Sequence, residues 1–88
     1  MRYTVQLSRV AIHVLDRLDR VTERRLRERL HQLAEAPEDP RLSKLLVDSQ
    51  GIRSARVGDW RILYLVDHAT ESLWILAIRP RGQAYRNL

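Results

Sequence analysis

The chain offers its chemistry mainly through arginine. Arg56 and Arg61 flank the Gly58–Asp59 pair in "RVGDWRILYLV", Arg79 and Arg81 end the run "LWILAIRPR", and Tyr85 follows shortly after. A guanidinium stays charged at any physiological pH and presents a planar fork of N–H donors that fits a phosphate. Several such donors converging on one phosphate can stabilise charge developing on its oxygens without a metal. They cannot shuttle protons. Tyr85 is the candidate for that task, because a phenol among cations ionises more readily than usual and can also donate a proton. It is equally suited to stacking on a nucleobase. His13 and His31 fall within helical patterns and His68 within a polar turn, and no two have metal-ligand spacing, so each reads as structural or solvated. No metal or cofactor is expected. The chain has no Cys, which removes disulfides, Cys-type zinc sites and thiol nucleophiles, and it has no glycine-rich phosphate loop.

Arg61 interrupts an otherwise apolar strand, and a buried guanidinium without a partner is costly. The elements around it must therefore leave one side of that strand open. "YTVQL", residues 3–7, alternates as a strand does. Ser8 can cap the helix that follows, where Val10, Ala11, Val14, Leu15 and Leu18 recur at helical spacing. A break near Asp19–Thr22, with Thr22 as the expected N-cap, leads into a second helix. That helix carries Leu26, Leu30 and Leu33 on one stripe and Glu23–Arg27 at pairing distance, and Pro37 and Pro40 end it. Residues 36–51 read mostly as loop, with "LSKLL" packing on the core or forming one helical turn. Residues 52–57, 60–66 and 73–78 read as three antiparallel strands in a meander. The expectation is a single α+β domain over residues 1–88. Its order is β-α-α-β-β-β, with a helical hairpin on one face of a small, mostly antiparallel twisted sheet. Eighty-eight residues bury roughly 60–65% of the surface of the unfolded chain, so the margin of stability is small.

Period-two alternation places Ser54 and Arg56 opposite to Ala55 and Val57. In the next strand Arg61 lies on the opposite parity from Trp60, Ile62, Tyr64 and Val66. Arg56 and Arg61 then share the helix-free face with Leu63 and Leu65, close together across the turn. Arg79, Arg81 and Tyr85 emerge beside them. The result is a basic concavity, suited to an anionic ligand. The plainer reading is that these are solvated strand-end arginines in an Arg-rich chain.

Charge supports either reading. The 16 basic residues, all arginine except Lys44, exceed 11 acidic ones and give a net charge of +5. A polyanion partner explains this surplus, and so does a codon bias towards arginine. The start "MRYTVQLSRV" lacks the apolar centre of a signal peptide, and no apolar run approaches the roughly 20 residues that span a bilayer. A soluble, cytoplasmic protein with no membrane association is expected.

Two segments carry a resemblance. "GIRSARVGDWRILYLVD" resembles the RelE/ParE superfamily pattern of a basic strand, Gly-Asp, an aromatic-Arg pair and an aliphatic run ending in Tyr. "ILAIRPRGQAYR" resembles its closing strand followed by a basic cluster and Tyr-Arg. The likeness covers nearly the whole chain and is nearest the RelE branch. It implies the RelE-like microbial ribonuclease fold and a metal-independent endoribonuclease toxin that cuts messenger RNA in the ribosomal A site. It also implies neutralisation by a cognate RelB-like antitoxin in a hetero-oligomer. Arg56, Arg61, Arg81 and Tyr85 match catalytic positions of the family, with Arg61 on the scissile phosphate, and Arg53, Arg79 and Lys44 are candidate RNA contacts. Ser54 stands where relatives often have a basic residue, and Pro80 where many have histidine. Two alternatives follow: a ParE-like poison of DNA gyrase, and a non-catalytic member that only binds its antitoxin.

Overall fold

The computed structural model describes residues 2–81. Strand β1, Thr4–Leu7, leads into helix α1, Arg9–Arg17, and helix α2, Arg20–Glu35. These are followed by β2 (Lys44–Leu45), β3 (Arg53–Val57), β4 (Trp60–Asp67) and β5 (Ser72–Pro80). The five strands form one mixed sheet in the order β1-β5-β4-β3-β2, antiparallel except for the β1–β5 pair.

Both helices lie on the same face of the sheet. Ala11 and Leu15 of α1 and Leu26, Leu30 and Leu33 of α2 bury against Ala55, Val57, Ile62, Tyr64, Leu73, Ile75 and Ile78, as the apolar stripes require. Ser8 is the N-cap of α1, its side chain accepting from the Ala11 N–H. Its hydroxyl also donates to the Leu76 carbonyl at 3.0 Å, which ties the helix start to β5. Ser8→Ala removes both bonds and is expected to cost about 1–2 kcal/mol, measured by urea unfolding.

Several local expectations are corrected. The cap of α2 is Asp19, not Thr22: extended backbone at Leu18 and Asp19 turns the chain, and the Asp19 carboxylate accepts from the Thr22 N–H at 3.1 Å. That bond from Thr22 holds the Asp19 carboxyl below its ordinary range. The Glu23–Arg27 pair forms at 2.9 Å. Part of "LSKLL" is neither a helical turn nor loop but the edge strand β2, with Lys44 opposite Ser54 and Leu45 opposite Arg53. The first strand starts at Thr4 because the Tyr3 N–H turns aside to the Ala34 carbonyl at 2.8 Å.

Candidate functional site

Cross-strand register decides what the helix-free face presents. Arg56 pairs with Arg61 across the β3–β4 turn, and Arg61 pairs with Arg79 on β5. Directly opposed residues share a face, with Cβ atoms about 4.5–5.5 Å apart. Three guanidiniums from three strands thus form one row. Gly58 makes the tight turn possible, with φ at +59°, a conformation glycine adopts without steric cost. The Arg56 carbonyl, at the sheet margin, accepts from Arg29 Nη1 of α2 at 2.8 Å. The Arg81 N–H donates to the Asp59 carbonyl at 2.7 Å, which brings Arg81 to the same turn.

Arg79 joins the row only because of a β-bulge. The β4–β5 register shifts between Leu63 and Tyr64: Leu63 pairs with Ala77 and Tyr64 with Ile75, leaving Leu76 as the extra residue. Strict alternation from the buried Leu73 and Ile75 would carry Ala77 and Arg79 into the helix-packed core. The extra residue reverses parity, so Ile78 enters the core and Arg79 faces Arg61.

Below the arginines lies a second row of Ser54, Leu63 and Ala77, all buried although the helices pack on the other side. Lys44 extends it at the exposed sheet edge. The Ser54 Oγ is buried with no hydrogen-bond partner among the described residues, and Arg61 Nε is buried beneath the surface of the first row. A buried hydroxyl left unsatisfied costs about 1–3 kcal/mol. Like charges brought to one face repel, more strongly where solvent is partly excluded. An anion seated across the row would add attractions that offset this repulsion.

Arg53 does not join the row. Opposite Tyr64 on the other parity, it donates through Nε to Ser43 Oγ at 3.0 Å and through Nη2 to the Ser43 carbonyl at 3.3 Å. The structure therefore brings together Arg56, Arg61 and Arg79, sets Arg81 at the adjoining turn, leaves Lys44 at the far edge, and turns Arg53 away. Tyr85 lies outside the described residues. His31 meets Arg2, and His68 meets the Tyr3 hydroxyl at 2.5 Å and Glu38 at 3.2 Å, while His13 is exposed on α1. Among the described residues no group of three or more His, Asp or Glu is placed to hold a metal ion. No described helix is long and apolar enough to cross a membrane.

An anion site across the row has a simple readout. An anion at ten times its dissociation constant adds about 1.4 kcal/mol to stability, or roughly 5–10 °C in Tm for a domain of this size. Sulfate also stabilises proteins generally, so the informative quantity is a difference. The sulfate-induced rise in Tm should be several degrees larger for the wild type than for Arg61→Ala, with sodium chloride of matched ionic strength as reference.

Two helices pack on one face of a five-stranded mixed sheet, with arginines across the other, and solved toxin structures share this arrangement of helices and strands. The chain resembles the toxin–antitoxin complex RelBE2 of Mycobacterium tuberculosis at 29% identity and a TM-score of 0.79, covering 92% of this chain and 100% of that one. It resembles the RelE–RelB complex of Pyrococcus horikoshii at 27% identity and a TM-score of 0.76, covering 96% and 100%. A double arginine-to-alanine mutant of E. coli RelE in the free state has the same fold, with a TM-score of 0.81 over 96% of this chain and 88% of that one, at 14% identity. No curated protein matches the sequence. The family model for the ParE toxin of type II toxin–antitoxin systems matches residues 5–85, and the chain belongs to that family. It is a toxin of the type II toxin–antitoxin class.

Proposed function

We propose that the chain is a ribosome-dependent endoribonuclease that cuts messenger RNA in the A site and so halts translation in the cytoplasm. The observation that carries the reading is the in-register row Arg56–Arg61–Arg79 with Arg81 anchored at its turn. RNA brings its own nucleophile. The 2′-hydroxyl attacks the adjacent phosphorus and loses its proton to a base. The P–O5′ bond breaks, the 5′-oxygen takes up a proton, and a 2′,3′-cyclic phosphate remains. Arg61, central in the row, holds the scissile phosphate, and Arg56 and Arg81 share the charge on its oxygens. Arg79 and Lys44 contact the flanking backbone, and Tyr85 is assigned the proton transfer. The buried Ser54 hydroxyl would gain a partner from a phosphate oxygen or a ribose hydroxyl lying against the row. The partner that silences the toxin is a cognate RelB-like antitoxin, and a basic surface speeds its capture if that partner is acidic.

The ParE family match favours a second reading, a gyrase poison in which the arginine row binds without cutting. Expression of the chain alone from a tightly repressed promoter separates the two. New messenger 5′ ends at codon-phased positions support the ribonuclease, whereas arrest with a DNA-damage response and no new ends supports the gyrase reading.

A further inference from the structure

Trp74 lies on the same face as the arginines, at the other end of the sheet. Its neighbours in sequence, Leu73 and Ile75, are both in the core, so its side chain points away from the helices, and it is 45% exposed. It stands between Gln6 of β1 and Leu65 of β4. Leu65 is four residues along β4 from Arg61, about 13 Å at strand spacing. The ground between is the buried Leu63–Ala77 pair, which carries no charge. A single exposed hydrophobic is ordinary on a protein surface; what sets Trp74 apart is that it shares this face with the row of cations.

We propose that Trp74 is a stacking platform for an unpaired nucleobase of the strand whose phosphate lies on the arginine row. A few nucleotides of extended single strand bridge the distance. Phosphates take the charged end, and bases, which all offer a π-face, take the apolar end. This rests on the polyanion reading of the arginine row but not on cleavage, because stacking fixes the register of the strand and not its chemistry.

The test uses Trp60→Phe protein, in which Trp74 is the single tryptophan, titrated with a 2′-O-methylated single-stranded RNA dodecamer. Trp74 fluorescence should be quenched on binding. Trp74→Ala should weaken binding roughly 5- to 150-fold, the range of one base–aromatic stack, while Trp74→Tyr restores most of it. More than half of the residue is buried, so circular dichroism and Tm are recorded for both variants and binding is compared per folded molecule. Binding that depends on Arg61 but neither quenches Trp74 nor responds to Trp74→Ala overturns the platform and leaves the polyanion reading standing. Absence of binding in the wild type overturns both. Quenching by an acidic peptide of alternating Glu and Leu, with none by the RNA, assigns the face to a protein segment and overturns the proposal.

Discussion

Arg61→Ala should lower the rate of messenger cleavage by about 10²–10³, the usual cost of removing one preorganised donor to a developing oxyanion. The size of the effect follows from position. Arg61 is opposed on both sides by another arginine, so it is the member of the row closest to the centre of any anion spanning the three strands. Arg61→Lys should recover only part of the loss, since an ammonium keeps the charge and loses the planar fork. Arg53→Ala is the matched control. It removes the same charge from the next strand, but from the helix side, where the guanidinium holds Ser43. That variant should lose stability and keep most of its cleavage rate per folded molecule. Primer extension on a defined message in a reconstituted translation reaction gives both rates, and urea unfolding gives the stabilities. Equal rates for Arg61→Ala and wild type would end the ribonuclease assignment.

The contrast between Arg53 and Arg61 also shows what a sequence can and cannot disclose. The helices were readable because their leucines repeat at helical spacing, and Leu26, Leu30 and Leu33 are all buried. The Arg56–Arg61 pairing was readable because a two-residue turn at Gly58–Asp59 fixes register, and period-two alternation then fixes the face. Arg53 obeys the same alternation, which places it opposite Ser54 and Arg56. Its parity separates it from Arg56 and Arg61, a distinction that the charge of the segment does not carry. Arg79 presents the reverse case. Alternation along "LWILAIRP" points it into the core, and only the extra residue at Leu76 turns it outward. No residue type marks that bulge. Its signal is the apolar pattern itself, since Leu73, Ile75 and Ile78 cannot all face one side of a regular strand. The edge strand β2 was hidden for another reason: two residues carry no period. Lys44 lies beside Ser54 because tertiary contacts at Ser43 hold the chain there.

Those contacts predict the largest loss of stability. Tyr64 is fully buried, and its hydroxyl lies 2.6 Å from the Pro37 carbonyl and 2.7 Å from Ser43 Oγ. A carbonyl can only accept, so the phenol donates to Pro37 and receives the Ser43 hydroxyl, which in turn accepts from Arg53. The chain Arg53–Ser43–Tyr64–Pro37 pins the connection between α2 and β2 to the middle of the sheet. Tyr64→Ala removes a core ring as well as the network, at a cost of about 3–5 kcal/mol. For a domain with a total of about 5–15 kcal/mol that is enough to leave much of the protein unfolded at 37 °C. Tyr64→Phe keeps the ring and strands its polar partners, for about 1–3 kcal/mol. The pH dependence separates network from packing. Burial pushes the Tyr64 pKa above its ordinary value of 10.0, against the opposing pull of Ser43 and Arg53. A pKa raised by folding contributes stability that is complete below the unfolded value and is lost as pH rises through the folded one. Wild type should therefore weaken from about pH 10 upward as the unfolded phenol ionises first. Tyr64→Phe should start lower at pH 7 and fall less steeply above pH 10, so the two curves converge. Parallel curves across that range, followed by urea unfolding at each pH, would show that the ring alone and not the hydroxyl network holds the connection.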